Sequence, residues 1–137
     1  MRRALLALLP LVALLAAPPV HGGIPGTPIA AAPGAWVTDY ATEVAAATVG
    51  GELAFVNGDL MRHNVVARVD FGADDRAWCA SFPAGRCPLF WSEFAHLGET
   101  VRVQGLDQLA PLRTYRFYCT IHPNMEGTLV ALTDTAL

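Results

Sequence analysis

Lysine is missing from all 137 residues, so basic charge rests on nine arginines set against twelve acidic residues. Two of those arginines, Arg2 and Arg3, open an apolar leader, which leaves the remainder of the chain about five charges negative. A net-negative surface without basic runs excludes nucleic acid as a partner, because phosphate binding needs clustered cations. Histidine is scarce as well, with four in the chain, and there is no methionine-rich or histidine-rich tail. Cysteine occurs three times, an odd number. No C-x-x-C-H run is present, which excludes c-type haem attachment.

The opening "MRRALLALLPLVALLAAPPV" has a positive start, an apolar run interrupted by Pro10, and then small residues. That is the pattern of a secretory signal peptide over 1–22, cut between about 17 and 23 and too short for a bilayer span. Left uncleaved, it would anchor the chain to a membrane; once removed, no membrane span remains. An exported chain, periplasmic or extracellular, enters an oxidising compartment. There Cys79 and Cys87, in "WCASFPAGRCP", flank a turn containing Pro83 and Gly85 and are expected to close as a disulfide. Cys119 is then left over, and an unpaired cysteine in an exported protein needs a reason.

Residues 23–35, "GIPGTPIAAAPG" and its neighbours, are Gly, Pro and Ala without apolar periodicity and read as a flexible linker. The folded domain is expected over 36–137. Its short runs "TEVAAATV", "ELAFVN", "HNVVARVDF", "ETVRVQGL", "RTYRFYC" and "GTLVAL" are rich in valine or alternate in polarity, with turn residues between them. Only "PLFWSEFAHL" could hold a helical turn. There is no internal repeat, and the pattern predicts one all-β domain, an antiparallel sandwich or barrel. Trp36, Trp78 and Trp91 read as packing residues, and His96 as a surface residue.

The chemistry concentrates in "YCTIHPNM", residues 118–125, where Cys119, His122 and Met125 follow one another at intervals of three. Pro123 opposes a helix there, so the expected form is a strand ending at Cys119 and a tight Pro123-Asn124 turn that folds His122 and Met125 back towards one point. A fourth ligand must come from elsewhere, and His63, 56 positions before Cys119, opens a strand-like run. Two imidazoles, a thiolate and a weak axial thioether describe a blue-copper electron-transfer site. Zinc fits less well, since its structural sites seldom use methionine. A Cys119–His122 nucleophile–base pair would lack an orienting partner and leave Met125 unexplained.

"HNVV" followed much later by "YRFYCTIHPNMEGTLV" resembles the cupredoxins, the small blue-copper proteins, over roughly residues 36–132, including the "GGELAFVN" strand. The resemblance implies a Greek-key β-barrel with a disulfide-containing insertion between Asp70 and Trp91. It implies a single type 1 copper ion held by His63, Cys119 and His122 with Met125 axial. Asn64 matches the residue that ties the two ligand loops together. Electrons would pass at the exposed edge of His122 within an apolar patch, for which Leu60, Met61 and Pro123 are the candidates, by transient contact with redox partner proteins. The protein is then a monomeric electron carrier and not an enzyme, since spare histidines for a second copper centre are lacking. The competing function is a copper carrier or chaperone that hands over metal instead of electrons.

Two positions leave the family pattern. Ile121 stands where a proline is common, and its retained N–H is expected to donate to the Cys119 sulfur, as Pro123 shapes the turn beyond it. Leu112-Arg113 stands where a glycine is common.

Overall fold

The computed structural model describes residues 26–133; the expected signal peptide lies outside them. The described chain forms eight strands: β1 (Ile29–Ala31), β2 (Val44–Thr48), β3 (Ala54–Asn57), β4 (Val66–Ala67), β5 (Trp91–Ser92), β6 (Thr100–Gln104), β7 (Thr114–Cys119) and β8 (His122–Leu132). Two short 3-10 turns, Ala77–Ser81 and Leu106–Gln108, complete the list, and the described residues contain no α-helix.

The strands lie side by side in the order β1-β3-β6-β5-β4-β7-β8-β2. All inner pairs are antiparallel, but the two outermost pairs, β1 with β3 and β2 with β8, are parallel. The sheet is therefore mixed where a purely antiparallel one was expected. Its free edges approach each other: the Ala41 N–H donates to Ala30 O at 2.8 Å, and Ala30 N–H to Thr42 Oγ1 at 3.2 Å. The result is a nearly closed barrel, which leaves few unpaired backbone groups for unwanted strand pairing.

The linker expected over 23–35 is corrected by β1. Ile29 and Ala31 are buried and pair in register with Phe55 and Asn57. Three residues of alternation among Gly, Pro and Ala are too few to register as a period, so only tertiary pairing reveals this strand. The "PLFWSEFAHL" segment is not helical either. Trp91–Ser92 is a strand held between β4 and β6, and Ala95 forms an isolated bridge with His63, so hydrogen-bond partners on both sides override local preference.

Strand alternation builds the core that carries the ligands. Along β7, Tyr115, Phe117 and Cys119 point inward while Thr114 and Arg116 face solvent. Phe117 meets Tyr40 edge-to-face at 5.0 Å between ring centroids, and Tyr40 meets Phe55 at 5.9 Å. Each such buried ring stabilises the fold by about 1.5–3 kcal/mol through removal from water. Opposite Phe117 in register stands Gly127, where an added Cβ would lie 2.3 Å from the Phe117 ring. Only a residue without a side chain lets β8 pass over that ring.

Cys79 and Cys87 form the expected disulfide, with Cα atoms 5.0 Å apart. Arg76 binds the insertion to the barrel, donating to Leu89 O at 2.6 Å and Pro88 O at 2.9 Å, with its guanidinium over Trp78. Trp78 in turn stacks on Trp91 at 6.2 Å. Trp36 departs from its expected packing role: it is 55% exposed. Leu112 adopts a left-handed backbone, φ 60°, at the turn before β7, so the position where the resemblance expects glycine does have glycine-like geometry.

Candidate metal centre

His63 reaches the site from a clamped backbone. Its N–H donates to Ala95 O at 3.2 Å and its carbonyl accepts from Ala95 N–H at 2.8 Å. The loop before it is organised by Asn57, a buried side chain at the end of β3. Asn57 Oδ1 accepts from Asp59 N–H at 2.9 Å, while Nδ2 donates to Met61 O and Ala95 O, both at 2.8 Å. Asn and Asp favour such turns because their short side chains can replace backbone partners.

Cys119 is the last residue of β7 and His122 the first of β8, and the two face each other across a two-residue turn. The sulfur is fully buried, as is His63, and His122 is half-buried. His122 Nδ1 lies 3.0 Å from His63 Nδ1 and 3.7 Å from Cys119 Sγ, and the donor atoms of all three residues lie within 4.8 Å of one another. Met125 is 1% exposed, three residues further along β8.

This donor set fits a metal ion. Nitrogen and thiolate ligands sit about 2.0 and 2.3 Å from such ions, which at open angles puts two nitrogens roughly 3.3 Å apart and nitrogen and sulfur roughly 3.6 Å apart. The distances in the protein are close to both. The chemistry fits equally: two imidazoles and a thiolate form a soft, nitrogen–sulfur set of the kind copper prefers.

Asn64 joins the two halves. Its Oδ1 accepts from Thr120 N–H at 3.0 Å and Thr120 Oγ1 at 3.1 Å, and its carbonyl accepts from the buried Tyr40 hydroxyl. Leu60, Met61 and Pro123 are all exposed, and so is Ile121 at 41%. The expected bond from Ile121 N–H to Cys119 Sγ does not form: at the tight turn after Cys119 the sulfur's contact is His122. Pro123 O instead accepts from Arg68 Nη1 at 3.0 Å. His96 is exposed and is not one of the clustered donors.

Sequence reasoning missed Asp59. Its carboxylate is buried, with Oδ2 2.8 Å from His63 Nε2 and Oδ1 accepting from Gly34 N–H at 3.0 Å and Leu60 N–H at 2.8 Å. Burial pushes its pKa up, but these hydrogen bonds and the nearby His63 outweigh burial and hold it below the usual carboxylate value. The signal was present as an acid four residues before a ligand histidine, inside "NGDLMRH", where Asn-Gly-Asp looks like turn chemistry alone. Burial lowers the pKa of His122, and His63 lowers it further, against an opposing pull from Asp59. A neutral imidazole is the form that binds metal.

The chain has a cupredoxin-like fold. Neither a protein-family model nor a curated protein sequence matches it. Among solved structures, a purple cupredoxin from Nitrosopumilus maritimus is similar at 17% identity and a TM-score of 0.51, over 76% of this chain and 97% of that one. The reduced Cu(I) form of an amicyanin variant at pH 4 is similar at 21% identity and a TM-score of 0.51, over 76% of this chain and 79% of the other. A second reduced amicyanin variant is similar at 20% identity and the same TM-score of 0.51, over 81% and 86% of the two chains.

Proposed function

We propose that this protein is an exported, mononuclear type 1 copper protein that carries single electrons between redox partners. The observation that carries the reading is the convergence of His63, Cys119 and His122, from segments far apart in the sequence, onto one point at one end of the barrel. Copper bound there supplies a one-electron Cu(II)/Cu(I) couple. Met125, buried three residues along β8 from His122, would add a thioether to this donor set.

The chain's own residues make exchange fast. His63 is held by two backbone bonds and a carboxylate, Cys119 by β7, and the two loops by Asn64, so the donors cannot relax far when charge changes. His122 is the least buried of the three donors and lies nearest the surface. Leu60, Met61, Ile121 and Pro123 are exposed apolar residues that flank the ligands in sequence, a surface suited to brief, small-area contact. The other donor cluster among the described residues is Asp74 with Cys79 and Cys87, whose sulfurs are already joined to each other. One open donor cluster is compatible with one copper ion per chain. No described helix is long and apolar enough to cross a membrane.

Loading the protein with Cu(II) and recording its visible spectrum tests the assignment. An intense thiolate-to-copper band in the red supports it. A colourless protein that retains only Cu(I) supports the copper carrier instead.

A further inference from the structure

Asp59 is the only buried acid among the described residues, and its surroundings leave its charge with a single counterpart. Backbone N–H groups of Gly34 and Leu60 occupy Oδ1, and His63 Nε2 faces Oδ2. No arginine pairs with it: its one ionic contact is His63, and the nearby Arg62 lies over the Phe94 ring instead. A carboxylate accepting from Nε2 places the ring proton there and frees Nδ1 as a donor, and it makes the imidazole more basic. His63 Nδ1 is indeed the atom turned to the other donors.

The charge balance follows. A divalent ion held by one thiolate and two neutral imidazoles keeps one positive charge, which the Asp59 carboxylate cancels through His63. Gain of one electron from a redox partner converts Cu(II) to Cu(I), breaks no bond, and leaves one buried negative charge without compensation. Uncompensated buried charge is costly in a medium of low polarity.

We propose that Asp59 is a positioning residue that orients His63 and biases the centre toward divalent over monovalent metal. The inference rests on the copper reading and adds a residue that sets the oxidation state the site favours. Asp59→Asn keeps the size of the side chain and an oxygen for Gly34 and Leu60, while removing the charge.

The test compares binding of Co(II) and Ag(I), ions that are not cycled, in wild type and D59N, alongside the midpoint potential of the copper form. Co(II) affinity is expected to fall at least tenfold more than Ag(I) affinity in D59N. The potential is expected to rise by a tenfold or larger change in the Cu(II)/Cu(I) equilibrium, about 59 mV for a one-electron couple. Equal losses for both ions with an unmoved potential overturn the proposal and leave Asp59 a structural residue. Asp59→Glu retains the charge and decides independently if D59N does not fold: a Co(II)/Ag(I) ratio within threefold of wild type supports the proposal, and a ratio shifted tenfold or more toward Ag(I) overturns it. A wild-type chain that binds neither Co(II), Cu(II) nor Ag(I) overturns the copper reading itself, and the role of Asp59 with it.

Discussion

The two histidines of the centre are built in opposite ways. His63 is fully buried, bridged through both backbone groups to Ala95, and held at Nε2 by Asp59. His122 is half-buried, follows a two-residue turn, and is flanked by the exposed Ile121 and Pro123. In the proposed electron carrier, one histidine would hold the geometry and the other would present it to a partner. A centre that must stay rigid and still meet other proteins needs both kinds of ligand.

The sharpest way to break this comparison is to remove the atom on which both histidines converge. Cys119→Ser is expected to abolish the thiolate-to-copper band entirely while circular dichroism stays that of a folded barrel. Next in size, His122→Gly should regain colour when free imidazole is added, because the gap opens to solvent. His63→Gly should not, since its gap is sealed behind Asp59 and Ala95. Equal rescue of both variants, read from the visible spectrum, would show that the difference in burial has no functional weight.

Asn64→Ala cuts the tie between the two halves by leaving Thr120 N–H without its acceptor. A loss of about 1 kcal/mol in denaturant unfolding is expected for a half-buried donor left without its acceptor, together with a broadened copper spectrum. Leu112→Gly relieves a left-handed residue at the turn into β7 and should stabilise the fold by about 1 kcal/mol without moving the spectrum, because Leu112 is exposed and its strain is local. The smallest effect belongs to Ile121→Pro: with no bond from its N–H to the sulfur, voltammetry should find the potential nearly unchanged.

Much of this was legible from residues alone. The alternation in "RTYRFYC" put Cys119 on the inward face of a strand, but the turn expected at Pro123-Asn124 falls instead at Thr120-Ile121, and Pro123 and Asn124 lie within β8. Valine-rich runs and turn residues disclosed an all-β fold, and the Pro83-Gly85 turn foretold the Cys79–Cys87 bridge. What stayed hidden was tertiary. β1 is three residues among glycines and prolines and exists because Phe55–Asn57 offer it a partner. The parallel pairing at both sheet edges depends on where distant chain segments arrive, which no local period records. Asp59 was concealed by ambiguity, since Asn-Gly-Asp satisfies a turn whether or not the acid also reaches a histidine. The bond expected from Ile121 failed because the presence of an N–H does not determine where the turn aims it.

Voltammetry of the copper-loaded protein tests the central claim most directly. Fast, reversible one-electron waves for wild type, lost in Cys119→Ser, are the predicted result. A copper-loaded protein that is coloured but shows slow, irreversible exchange, or that releases its copper on reduction, would contradict the reading of this site as an electron carrier.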